Sequence, residues 1–229
     1  MARLKFPCLM LIFAISFFIS TTKAAQATGF KFDVGLGLAI PTMSGDVVED
    51  PVAVSLYSPS LGWGVAFNYE DSPLAAFDFM LDAGYSPWDR ITFLLLFDLA
   101  LGDSDSRITA GILQADVDTR WLSWGLYLNT EYVFNVNGQL KPYVFGGPGI
   151  RKMSLLDSDG DGLIFDEAFS MDAGVGIYYK IIGFRLTYNW VNYSHASFEV
   201  EGFDEASGGI DTNGGYISLL FTVGRSRGD

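Results

Sequence analysis

The dominant pattern along this chain is a period of two. From Phe30 to Leu38 every even position is apolar, and the odd ones are Lys31, Asp33, Gly35 and Gly37. A β-strand points successive side chains to opposite faces, so this segment has one greasy wall and one polar wall. The pattern recurs with Phe77, Phe79, Leu81 and Tyr85 against Asp78, Met80, Asp82 and Gly84. It recurs with Leu122, Trp124, Leu126 and Leu128 against Ser123, Gly125, Tyr127 and Asn129. Phe184, Leu186, Tyr188 and Trp190 alternate with Arg185, Thr187 and Asn189, and Ile217, Leu219, Phe221 and Val223 close the series. Nine segments read as strands: residues 30–40, 61–70, 77–85, 91–101, 121–134, 140–153, 170–181, 184–198 and 215–223. Each is about ten residues long, enough for a tilted strand to cross a hydrocarbon layer.

A soluble sandwich also alternates, so the polar face has to decide. On the outside of a sandwich it would be dominated by Lys, Glu and Thr. Here it carries glycines and isolated charges of both signs, which suits a narrow enclosed lumen where charges must find partners. Aromatics near segment ends (Phe30, Trp63, Tyr69, Tyr85, Trp121, Tyr132, Trp190) suit interfacial girdles. An open sheet edge would leave backbone groups unpaired in lipid, so a membrane sheet must close. The expected fold is all-β, an antiparallel transmembrane β-barrel of eight to ten strands over residues 28–229. Residues 107–117 supply a tenth strand, or one segment is a hairpin arm beyond the membrane and eight remain; ten is favoured. Turns at Asn135–Gln139 and Ile181–Gly183 are tight, whereas residues 42–60, 154–169 and 199–213 are longer, acidic and glycine-rich. That asymmetry puts the tight turns on the periplasmic side and the acidic loops outside the cell.

The N-terminus agrees with export. Arg3 and Lys5 precede an uncharged stretch from Phe6 to Ser20, and Ala25-Gln26-Ala27 forms an A-x-A cleavage site, so residues 1–27 read as a signal peptide. The apolar stretch is too short for a spanning helix. The sole cysteine, Cys8, lies in the leader, so the mature chain has no disulfide, thiol nucleophile or thiolate metal site. Without the leader, 11 basic residues (14 less Arg3, Lys5 and Lys23) face 27 acidic ones, a net charge near −16. Such a chain repels nucleic acid. At 49% hydrophobic and 15% aromatic residues it is no disordered acidic tail either.

The stretch Leu140-Lys141-Pro142-Tyr143-Val144-Phe145-Gly146-Gly147-Pro148-Gly149 resembles the PYV strand common in small outer-membrane barrels of the OmpA/OmpW type. Gly215 to Val223 resembles the final strand that the barrel-assembly machinery recognises, although Gly224-Arg225-Ser226-Arg227-Gly228-Asp229 follows it in place of a terminal aromatic. The resemblance implies a Gram-negative outer-membrane location, with outer-membrane lipids, lipopolysaccharide and the assembly machinery as partners. It implies little about activity, because one fold hosts many functions.

Four constellations carry candidate chemistry. Lys31, Lys141, Arg151, Lys180 and Arg185 share the lumen parity with Asp33, Glu70, Asp78, Asp82, Asp98, Glu131 and Asp172. They describe a salt-bridged plug or, with ten strands, a narrow cation-preferring channel. Asp157-Ser158-Asp159-Gly160-Asp161-Gly162 matches the start of a calcium loop, with oxygens at positions 1, 3 and 5 and glycine at 6. Ala168 stands where the bidentate Glu belongs, so Asp166 and Glu167 would complete a looser Ca2+ site; a solvated acidic turn is the alternative. His195-Ala196-Ser197 resembles the H-x-S pair of outer-membrane lipid A deacylases. The parity of Arg185 and Thr187 turns His195 and Ser197 to the lumen, away from lipid, unless a bulge intervenes. Arg227-Gly228-Asp229 matches an integrin-binding tripeptide but would sit at the periplasmic end. The reading is a non-enzymatic outer-membrane barrel serving envelope integrity or surface interaction, with divalent cations on its acidic loops.

Overall fold

In the computed structural model the alternating segments stand side by side with their apolar parity outward. It describes residues 29–42, 44–45, 55–58, 63–71, 76–110, 113–135, 137–199 and 206–224. The strands are β1 (Phe30–Pro41), β2 (Ser44–Gly45), β3 (Ser55–Ser58), β4 (Trp63–Asp71), β5 (Ala76–Tyr85), β6 (Ile91–Ala110) and β7 (Leu113–Val133). They continue as β8 (Leu140–Leu156), β9 (Gly162–Phe165), β10 (Ala168–Tyr179), β11 (Ile182–Glu199), β12 (Ala206–Asn213) and β13 (Tyr216–Gly224). Eight of them close a ring in the order β1, β5, β6, β7, β8, β10, β11, β13 and back to β1, every pair antiparallel.

The stagger of that ring fixes its bore. Paired residues can be followed from Lys31 through Gly84, Leu94, Asn129, Gly147, Asp172, Asn189 and Tyr216. Asn129 meets Gly147 in step with Tyr127↔Gly149 and Thr130↔Gly146. The circuit returns to β1 at Pro41, ten residues on (41 − 31 = 10). With eight strands, this stagger tilts them by about 40° and leaves an interior that side chains just fill.

The outer wall is apolar over one continuous band. On β10 it presents Phe169, Met171, Val175, Ile177 and Tyr179, all exposed. Ten residue steps at about 3.3 Å, tilted by about 40°, give about 25 Å, the height of a lipid-facing band. Phe30, Tyr85, Trp88, Phe93, Phe134 and Tyr179 ring the turn end, and Phe169, Tyr188 and Trp190 stand near the loop end. Tight connections gather at the turn end. Between Tyr179 and Ile182 only Lys180 and Ile181 intervene, with Lys180 at a φ of 56°. After β7, Asn135 accepts a bond from the Gly138 amide at 3.0 Å.

Several expectations change here. The ring has eight strands, not the favoured ten. Residues 107–117 are no separate strand: β6 runs to Ala110 and β7 starts at Leu113, one long hairpin that outgrows the barrel wall. The segment 61–70, as β4, lies outside the ring on the far end of β6. The long acidic connections are themselves partly stranded. β3 pairs β4, β12 pairs β3 and β11, β2 pairs β12, and β9 bridges the far ends of β8 and β11. The sheet therefore continues past the barrel at its loop end. Trp121, expected in a girdle, points inward and is fully buried. The leader and the C-terminal tripeptide lie outside the described residues, as do the side chains of Trp63, Tyr69 and Glu70.

Candidate functional site: the barrel interior

The inward face of β5 shows how the interior is layered. From the turn end to the loop end it reads Asp82, Met80, Asp78, Ala76, all buried. Each marks a level: a lower polar layer, an apolar belt, an upper polar layer and an apolar cap. The pattern follows from strand geometry, since every second residue enters the lumen, and from registers that bring unlike strands to one height.

The lower layer is built on Lys31. Its ammonium lies 2.6 Å from Glu131 and 3.0 Å from Asp33. It also donates to the Tyr178 hydroxyl at 2.5 Å, which in turn donates to Asp33 at 2.8 Å. Tyr143 stacks on Tyr178 with ring centroids 4.4 Å apart, and Lys31 sits 4.6 Å from the Tyr178 centroid. Arg185 donates to Asp82 at 3.1 Å and lies 3.9 Å over the Phe145 ring. Lys141 is buried at the same end of the barrel. Above this layer Met80, Leu96, Leu220 and the Tyr127 ring form the apolar belt.

The upper layer is built on Arg151, which is fully buried. Its guanidinium donates to both oxygens of Asp98 at 2.5 and 2.6 Å, to the Tyr216 hydroxyl at 2.8 Å and to Ser123 and Tyr127 at 2.7 Å each. Tyr216 also bonds Asp98. The network runs on through Tyr127 to Ser170 at 2.7 Å and Asn189 at 2.6 Å. Asp172 accepts from Asn129 at 2.6 Å and from Asn189 at 3.4 Å. Over this layer Trp121, Met153, Leu155, Leu163, Phe165, Val191, Tyr193 and Ile210 close an apolar cap, with Trp121 edge-on to Tyr216 at 5.8 Å. β9 supplies Leu163 and Phe165 and β12 supplies Ile210, so the strands beyond the barrel wall cap it.

Of the expected lumen charges, Lys31, Lys141, Arg151, Arg185, Asp33, Asp78, Asp82, Asp98, Glu131 and Asp172 are all buried. Lys180 is not among them: it lies exposed in the turn before β11. The tyrosines that carry the networks (Tyr127, Tyr143, Tyr178, Tyr216) were not singled out from sequence. Their inward parity was the available signal.

The remaining candidates lie at the loop end. Asp157 accepts from the amides of Asp159, Gly160 and Asp161 at 2.8, 2.9 and 3.0 Å, so its carboxylate closes the turn. Asp166 turns away to His195, 3.0 Å from its Nδ1. Among the described residues no three acidic, His or Cys side chains converge as a metal cage. The H-x-S pair corrects a parity expectation. The β11–β12 register shifts between Tyr193 and His195, so His195 is exposed, whereas Ser197 is buried. The pair is thereby split between two environments.

An apolar band outside a closed ring, with ion pairs inside, is the arrangement that a bilayer requires of a spanning sheet. The outer membrane protein OprG from Pseudomonas aeruginosa superposes with a TM-score of 0.55 at 12% identity, over 86% of this chain and 96% of that one. The chain has the fold of the small outer-membrane β-barrels. Neisserial surface protein A matches this barrel at a TM-score of 0.48 and 14% identity, over 86% of this chain and 97% of that one. AlkL, solved in DMPC bilayers, gives 0.48 and 12%, over 88% and 93%. No protein-family model and no curated protein sequence matches the chain.

Proposed function

We propose that this is an exported outer-membrane protein whose barrel is a non-conducting, non-enzymatic anchor and whose acidic loop end does the work. The observation that carries this reading is the doubly sealed interior. An apolar belt lies below Arg151 and an apolar cap above it, with ion pairs on both sides of the belt. A conducting pore needs a wetted path, and two apolar layers lie across this lumen. The charge distribution supports the role of the loop end. Residues 42–75, 102–120, 152–167 and 192–215 hold 19 of the 27 acidic residues and only Arg107, Arg120 and Lys152 as basic ones. Such a surface suits envelope integrity or surface interaction through divalent cations shared with lipopolysaccharide phosphates. Asp157, Asp159, Asp161, Asp166 and Glu167 are the proposed Ca2+ ligands, with weak affinity.

Planar-bilayer recording of the refolded protein tests the reading. A silent membrane is expected, and reproducible single-channel steps would overturn it in favour of a narrow cation channel.

A further inference from the structure

The two polar layers differ in charge balance. The lower one sets Lys31, Lys141 and Arg185 against Asp33, Asp82 and Glu131, three against three. The upper one sets Arg151 against Asp78, Asp98 and Asp172, with Arg185 of the layer below also within reach of Asp172. Across the whole interior, six buried carboxylates face four buried cations, leaving two negative charges among the described residues. Arg151 is committed to Asp98. The charge of Arg185 reaches Asp172, but its hydrogen bond goes to Asp82. Among the described residues, Asp172 receives its hydrogen bonds from the side-chain amides of Asn129 and Asn189. Asp78, 1% exposed, takes a hydrogen bond from the Ser218 hydroxyl, but one of its carboxylate oxygens has no donor among the described residues, and neither has the side-chain oxygen of buried Asn129. Asp78 and Asp98 are diagonal neighbours on the inner face of β5 and β6, and Asp172 lies within range of both charges.

From these oxygens we infer that the upper chamber holds a small hard cation between Asp78 and Asp172. The ligand class follows from the donors. Carboxylate, amide and hydroxyl oxygens, with no imidazole or thiolate among them, suit Na+, Ca2+ or Mg2+ and not a transition metal. Two uncompensated charges are met by one divalent ion or two monovalent ones. A proton on Asp78 would cancel one of the two charges, whereas a divalent ion cancels both. Because belt and cap close the chamber, the ion enters while the barrel folds.

The test refolds the barrel into detergent in NaCl, CaCl2 or tetraethylammonium chloride at equal ionic strength, the last being a bulky cation whose ethyl groups keep oxygen ligands from close approach. The readout is the temperature at which the folded band converts to the unfolded one on a gel. The wild type is expected to melt several degrees higher in NaCl or CaCl2 than in tetraethylammonium, and the better of the two identifies the valence. The nearly isosteric double variant Asp78→Asn/Asp172→Asn should melt at one temperature in all three salts. A variant carrying Asp157→Asn, Asp159→Asn and Asp161→Asn should keep the wild-type response, which separates the chamber from the loop. Equal wild-type midpoints in the three salts, rising only as pH falls, would mean that protons alone neutralise the carboxylates and would overturn the inference. A salt response that survives in the double variant would overturn it as well.

Discussion

Replacing Arg151 by Met removes the hub of the upper network while keeping an unbranched side chain in its place. Five donor contacts disappear, two of them to Asp98, whose carboxylate stays buried. Breaking one side of a buried ion pair costs about 3–5 kcal/mol, chiefly because the surviving charge loses its partner. At about 1.4 kcal/mol per factor of ten, that is a loss of roughly two to three and a half decades in the folding constant. The second half of the cycle is the sharper one. Asp98→Asn in the Arg151→Met background removes the stranded charge and should recover most of the loss, because replacing a whole buried pair is often near neutral. Urea titration in lipid vesicles, followed by tryptophan fluorescence, measures all four corners, with Trp121 packed on Tyr216 as a local reporter. If Arg151→Met cost less than about 1 kcal/mol, the range of an exposed pair, the guanidinium would not be buried as described. A double variant no better than the single one would show that lost packing, and not charge, dominates.

The two tryptophans of opposite placement provide a contrast. Trp121→Ala should cost about 3–5 kcal/mol as a core cavity, while the lipid-facing Trp190→Ala should cost clearly less; equal losses would refute the inward placement of Trp121. A methyl group at Gly176 would meet the Tyr143 ring, so Gly176→Ala should unstack Tyr143 from Tyr178 and cost about 1–3 kcal/mol as overpacking; an unchanged urea midpoint would contradict the lower layer. Calorimetric titration with CaCl2 should give weak heats in the wild type and smaller ones in Asp159→Ala; identical traces would end the loop proposal. His195→Ala should leave the lipid A acyl pattern unchanged by mass spectrometry, and a shift would revive the esterase alternative.

The barrel walls were legible because parity is a local property. Phe77 to Tyr85 names its two faces without knowledge of any other strand, and ten of the twelve expected lumen charges are buried. Strand number was not legible, because alternation does not stop at the membrane surface. β4, and the far arms of β6 and β7, alternate like the wall but pair outside it. Trp121 shows a signal present and overridden: it shares parity with Ser123, Gly125 and Tyr127, which places it inward, while its position near a segment end suggested a girdle. His195 had no such signal. Its outward turn depends on a register shift against β12, and that is set by pairing and not by its own neighbours. The layering of the interior was also hidden, since it arises from a ten-residue stagger that only the closed ring defines.

The claim on which all else rests is the ring of eight, because it sets the bore. In it Leu36 of β1 faces Phe79 of β5, and Leu95 of β6 faces Leu128 of β7. A ten-stranded ring would put residues 61–70 between the first pair and 107–117 between the second. That would move each pair to two strand spacings, about 10 Å apart, beyond the reach of a disulfide. Cys8, the one cysteine of the sequence, would need to be absent for a clean background. Leu36→Cys/Phe79→Cys and Leu95→Cys/Leu128→Cys, folded in detergent and oxidised, are each expected to form the cross-link, read by mass spectrometry of the digested protein. Free thiols in both folded pairs would contradict the eight-stranded ring and, with it, the sealed lumen.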